Sequence, residues 1–161
     1  MDGIAVAFME SVMNQVAGIV PLTSARAQAF IRGEATLTVV CDGSFDEVAA
    51  RLEASLAANG MSVVQVHDFD RMLAAKGIVL DVRSRVYEVW NPRLAARLFA
   101  LEPDLSHLLP CRIAMHDERG LITVTVPMPT AVMTEFSHAA SVAALARDFE
   151  AGLQRVLRAL R

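Results

Sequence analysis

The stretch Cys111–Val126, "CRIAMHDERGLITVTV", reads as two strands folded back on each other. Side chains alternate along a strand, so Cys111, Ile113 and Met115 share one face while Arg112, Ala114 and His116 share the other. Leu121 to Val126 repeats the pattern with β-branched residues, which suit a pleated surface. Between the two runs, "DERG" supplies polar turn residues, and Gly120 can adopt the positive φ that a tight loop needs. A hairpin at this point commits the chain to an antiparallel sheet. Pro127 and Pro129 then interrupt the ladder, because proline has no N–H to donate to it.

Working outward, the chain after the hairpin carries Val142, Leu145, Phe149, Leu153, Val156 and Leu160 at helical spacing, which predicts a helix from about Ser137 to Leu160, long enough to lie across a sheet. Arg147, Arg155, Arg158 and Arg161, interleaved with Asp148 and Glu150, read as its solvated face. Upstream of the hairpin, Asn91 and Pro92 provide an N-cap and a first-turn proline for the helix "RLAARLFAL", which Pro103 ends. "GIVLDVRSRVYEVWN" carries one or two strands, with the strongest signal from Arg85 to Trp90.

Earlier still, "ATLTVVCDG" predicts a strand with Leu37, Val39 and Cys41 on one face. A helix follows, opened by the capping box of Ser44 and Glu47 and stopped at Asn59-Gly60. "MSVVQVH" predicts a strand with Val64 and Val66 on one face and Val63, Gln65 and His67 on the other. Asp68 or Asp70 can cap the short helix "RMLAAK", with Gly77 as its stop. At the N-terminus, Phe8, Met9, Val12, Met13, Val16, Ile19 and Val20 form an amphipathic stripe over Ala5–Val20. Pro21 ends this helix, and a further helical turn is expected over Ala25 to Ile31.

The expectation is an α+β domain over residues 34–161, preceded by an N-terminal amphipathic helix and linker over residues 1–33. The domain would be a curved antiparallel sheet of about five strands with helices on one face and a long C-terminal helix, leaving the other face open.

Composition narrows the function classes. Of 161 residues, 54% are apolar and 20% charged, which supplies a core and excludes a disordered chain. A net charge of −3 gives no counterion-release drive toward nucleic acid. Two cysteines are too few for a disulfide framework, the start carries no basic residue ahead of its apolar run, and Glu10, Asn14 and Gln15 break the best candidate membrane span. A cytoplasmic protein with no nucleic-acid or membrane partner is the resulting expectation.

The run Val86–Pro129, "VYEVWNPRLAARLFALEPDLSHLLPCRIAMHDERGLITVTVPMP", resembles the signature of the bacterial and archaeal domain-of-unknown-function 302 family. The resemblance rests on Asn91-Pro92 opening the middle helix, Leu109-Pro110 opening the next strand, the cysteine-bearing Pro110-Cys111-Arg112, and a proline after the hairpin. "SFDEVAARLEASLAANGMSVVQVHDFD" resembles the family's first helix and second strand, so the likeness runs from about Leu37 to Met133. It implies a fold similar to half of the TATA-binding protein and a homodimer, and brings no established activity. The chain departs from the family pattern in its N-terminal helix and in Trp90, where a small residue or cysteine is usual.

Candidate site residues follow from chemistry. Cys111 is a candidate thiol, reactive only if Arg112 lends it positive field, and otherwise a small apolar residue of the core. His107, His116 and Cys111 are candidate metal or haem ligands, although no pair of ligands has the short spacing of a zinc site. Tyr87, Trp90 and Asn91, at a strand end beside a helix N-terminus, together with Arg112 and His67, are candidate ligand-binding residues. No glycine-rich phosphate loop, nucleophile elbow or histidine–carboxylate relay occurs, which argues against an enzyme. The cofactor, if any, is unknown. The expected role is a homodimeric binding or partner-interaction module acting through the open sheet face and the N-terminal helix, with a sulfur-handling or redox thiol protein and a haem or metal carrier as alternatives.

Overall fold

A computed structural model describes residues 30–161. The hairpin forms as its sequence requires: β5 (Cys111–Glu118) and β6 (Leu121–Pro127) pair antiparallel, with Met115 opposite Val124. The turn is tighter than "DERG" suggests. Arg119 and Gly120, with φ of 54° and 83°, make a two-residue connection whose twist matches the strands. The Asp117 carboxylate accepts the Gly120 N–H at 2.8 Å, which holds the loop closed.

Around this hairpin lie β1 (Phe30–Arg32), β2 (Thr36–Cys41), β3 (Ser62–Asp68) and β4 (Arg83–Trp90), giving a curved six-stranded sheet in the order β1-β2-β6-β5-β4-β3. All its pairings are antiparallel. The sixth strand is β1, which the sequence reading missed: a helical turn was expected over Ala25–Ile31, yet Phe30 and Ile31 pair with Val39 and Thr38 of β2. Three residues carry too short a pattern to separate strand from helix, and the pairing with β2 decides it. The sheet therefore begins before the end of the linker expected through residue 33. The amphipathic helix expected over Ala5–Val20 lies outside the described residues.

One face of the sheet holds the core. Leu37, Val39, Tyr87, Val89, Ile113, Met115, Ile122, Val124 and Val126 are buried there. Two helices roof them: α1 (Phe45–Ala58) contributes Phe45, Val48, Leu52 and Leu56, and the long C-terminal helix, Ala140–Arg158, contributes Val142, Leu145, Phe149, Leu153 and Val156. The capping box of α1 is complete, since Ser44 Oγ accepts from Glu47 N–H at 3.3 Å and Glu47 Oε2 accepts from Ser44 N–H at 2.7 Å.

Two expectations about the edge strand and its neighbour need correction. The register of β3 against β4 shifts between Val63 and Gln65, a bulge that skips Val64. Val63 and Val66 therefore both pack on the core, and Val64 is left 54% exposed, instead of Val64 and Val66 sharing one face opposite Val63. Neither aspartate caps the helix that follows, α2 (Phe69–Ala74), through its side chain. Asp68 pairs with Arg85 at 2.5 Å, and Asp70 accepts the Ser84 N–H at 3.2 Å.

The remaining helices are α3 (Pro92–Leu101), a 3-10 turn (Pro103–Leu108), α4 (Pro129–Thr134) and α5, the long helix already described. Asn91 Oδ1 accepts from the N–H groups of Arg93 and Leu94 at 3.0 and 3.1 Å, so α3 starts where the sequence places it. The Pro127 and Pro129 break contains a short helix that the sequence reading did not include, and α5 begins at Ala140, not Ser137. Within α5 the Glu150 side chain is not part of the solvated face. Only 4% of Glu150 is exposed, and its carboxylate accepts from Thr130 N–H at 3.2 Å, from the Thr130 hydroxyl, and from Gln154 Nε2 at 3.3 Å, with Arg32 Nη2 also at 3.3 Å. One carboxylate thus ties β1, α4 and α5 together.

Candidate functional site

The start of β5 is built by three local decisions. Pro103 opens the 3-10 turn, the turn ends at Leu108, and the cis Leu109-Pro110 bond redirects the chain into Cys111. Against this segment lie Pro127 at the end of β6, then Pro129, Val132 and Met133 of α4, and Phe149 of α5. The result is a cleft of about 290 Å³ lined by those residues together with His107, Leu108, Leu109, Pro110, Cys111 and Arg112. It sits at one end of the sheet, under the helices, where the core opens to solvent. Ligand sites favour such mostly apolar concavities with few polar groups.

Cys111 lies on the core face, in line with Ile113 and Met115, as the alternation predicts. Burial pushes its thiol from the ordinary value of 9.0 up to about 12, opposed by a backbone hydrogen bond at Arg112. The protonated Sγ lies 3.9 Å from the Arg112 carbonyl, to which it can donate. The Arg112 guanidinium does not help it. Nη2 is 3.3 Å from Glu88 Oε1, on the opposite face of the sheet, because adjacent strand residues point apart. The positive field that a reactive thiolate needs is therefore directed away from the sulfur.

The histidines do not converge. His107 is exposed at the cleft rim, with Nδ1 2.6 Å from the Asp104 carbonyl and its ring meeting Phe136 edge-on, centroids 4.9 Å apart. His116 is further along β5, on the open face, with Nε2 2.6 Å from Thr123 Oγ1; burial lowers its pKa, against the pull of Glu118. His107 and Cys111 share the cleft, whereas His116 is on the other side of the sheet, so the three do not form one ligand set. Among the described residues there is no group of three or more His, Cys, Asp or Glu side chains able to hold a metal ion.

Tyr87, Trp90 and Asn91 are also separated. Tyr87 is fully buried on the core face, its hydroxyl 3.4 Å from Arg85 Nη1. Trp90, 37% exposed, follows inward-facing Val89 and so projects to the open face, and Asn91 is spent as the cap of α3. His67 belongs to the open face, with Nε2 3.3 Å from Glu88 Oε1, which makes Glu88 the centre of a His67–Glu88–Arg112 row. The register places Thr38, Thr125, Ala114, Val86 and His67 in one further row across that face. Thr38 and Thr125 join their hydroxyls at 2.9 Å.

The residues that sequence reasoning missed are the α4 wall of the cleft, Pro129, Val132 and Met133. A signal was present, since Pro129 is a first-turn proline ahead of a helix-compatible run.

The family model described as "Domain of unknown function DUF302" matches residues 37–160. Among solved structures, the chain is similar to the uncharacterized conserved protein DUF302 from Bacillus stearothermophilus, at 26% identity and a TM-score of 0.76. That match covers 80% of this chain and 100% of the other. No curated protein matches the chain. No helix among the described residues is long and apolar enough to cross a membrane.

Proposed function

The chain belongs to the DUF302 family, and for this member we propose that the cleft at the start of β5 is a binding site for a small molecule. The observation that carries the reading is the cleft itself, about 290 Å³ and open to solvent, between the Leu108–Arg112 segment and the α4 and α5 side chains. A gap of that size at the edge of a packed core sacrifices contacts that neighbouring side chains could have made, a cost that a ligand can offset. Cys111 serves in this reading as a neutral wall, because a thiol shifted up to about 12 remains protonated near neutral pH. Redox chemistry and metal carriage draw no comparable support from the positions of Arg112 and His116.

Native mass spectrometry of the full chain provides the test. A discrete non-covalent adduct is expected on the wild type and is expected to be lost in Val132→Trp, whose indole fills the cleft. Wild-type and variant proteins with identical spectra, and no saturable uptake of apolar probes by either, would sink the proposal.

A second reading rests on the open face, where Thr38, Thr125, Ala114 and Val86 present a row of short side chains with no helix of the described residues over them. Such a face can pack on its equal in a second copy, sheet against sheet. We expect Thr125→Arg to halve the mass of a homodimer in light scattering; a wild-type chain of monomeric mass removes this reading.

A further inference from the structure

The charge of the cleft walls restricts what they can receive, on the premise that the cleft is a binding site. Among the described residues its lining contains no carboxylate. Its one arginine, Arg112, directs its guanidinium to Glu88 on the opposite face of the sheet. An ion entering the cleft would leave water without meeting a counter-charge, an expensive exchange. The other side chains along it are leucine, proline, valine, methionine and phenylalanine, with the Cys111 sulfur and His107 among them.

Of the polar side chains on the lining, His107 has its chemistry fixed by a neighbour. The Asp104 carbonyl 2.6 Å from Nδ1 can only accept, so Nδ1 bears the hydrogen and, in the uncharged ring, Nε2 is left as an acceptor. The edge-on contact with Phe136 limits rotation of the ring.

We infer that the cleft takes an uncharged, largely apolar small molecule, and that Nε2 of His107 receives its hydrogen-bond donor, a hydroxyl or an amide N–H. The apolar body lies against Val132, Met133 and Phe149, and the donor faces the rim. His107 is a positioning residue for the ligand and transfers no proton in this account.

Titration calorimetry of the full chain with four eight-carbon probes tests the inference: 1-octanol, octyl methyl ether, octanoate and octylammonium. Octanol is expected to bind at least about tenfold more tightly than either ion. His107→Phe should weaken octanol by about fivefold, the loss of one hydrogen bond, and leave the ether unchanged. His107→Gln, which keeps an acceptor, should restore part of the difference. Octanoate or octylammonium binding as tightly as octanol overturns the ligand class and leaves the cleft as a site. Equal weakening of octanol and the ether in His107→Phe overturns the role of Nε2. Absence of binding by all four probes, with Val132→Trp indistinguishable from wild type, overturns both the ligand class and the site.

Discussion

Burial holds the Cys111 thiol at about 12 and the Cys41 thiol at about 11, against an ordinary value of 9.0. The unfolded chain therefore releases these protons first, and alkali favours it. The contribution to stability is complete below about pH 9 and is lost as the pH climbs toward the folded values. Melting temperatures should be level between neutral pH and about 9 and fall above it, and Cys111→Ser, which cannot ionise, should flatten that fall. A steeper decline in the variant would contradict the assignment. Iodoacetamide at neutral pH should label Cys111 of the native protein much more slowly than that of the denatured chain. Glu150 gives a second test at this scale. Glu150→Ala strands the Thr130 N–H and hydroxyl under α5, and denaturant titration should show a loss of about 2 kcal/mol. Arg32→Ala, which removes the exposed member of the pair, should cost below about 1 kcal/mol.

Among the elements, α3 depends on its first turn: Asn91→Ala removes the acceptor shared by Arg93 and Leu94 and should lower stability by about 1 kcal/mol in denaturant titration. This element was legible in the sequence because Asn91-Pro92 is a local signal whose chemistry is complete within four residues. The same holds for the Ser44–Glu47 box and for the hairpin, where Gly120 marked the turn. What escaped detection depends on partners distant in the chain. β1 is a strand because Val39 and Thr38 are opposite it, and Glu150 is buried because Thr130 and Arg32 come to it from other elements. The alternation expected along β3, Val64 with Val66 and opposite Val63, fails for a related reason, since a bulge is a property of two strands in register and the pattern within one strand cannot show it. At the candidate site, the separation of Arg112 from Cys111 followed from alternation alone. The α4 wall did not, because its residues reach the cleft only through the packing of α4 on α5.

For the molecule as a whole, the family model matches residues 37–160, and 80% of this chain covers the whole of the Bacillus stearothermophilus chain. A chain beginning at Phe30 should melt within about 2 °C of the full protein, since the β1 pairing and the Arg32–Glu150 contact are both retained. A large drop would show that residues 1–29 contribute to the core, and a change in scattering mass with unchanged melting would assign them to assembly. The register slip opposite Val64 has a further consequence for solubility. Strand β3 closes one side of the sheet, and its outer backbone amides could recruit another extended polypeptide, as in fibril growth. The extra residue bends that margin out of line and spoils the repeat that such recruitment requires. Deleting Val64 would straighten it, and the price of a more regular ladder should be a protein that precipitates on concentration.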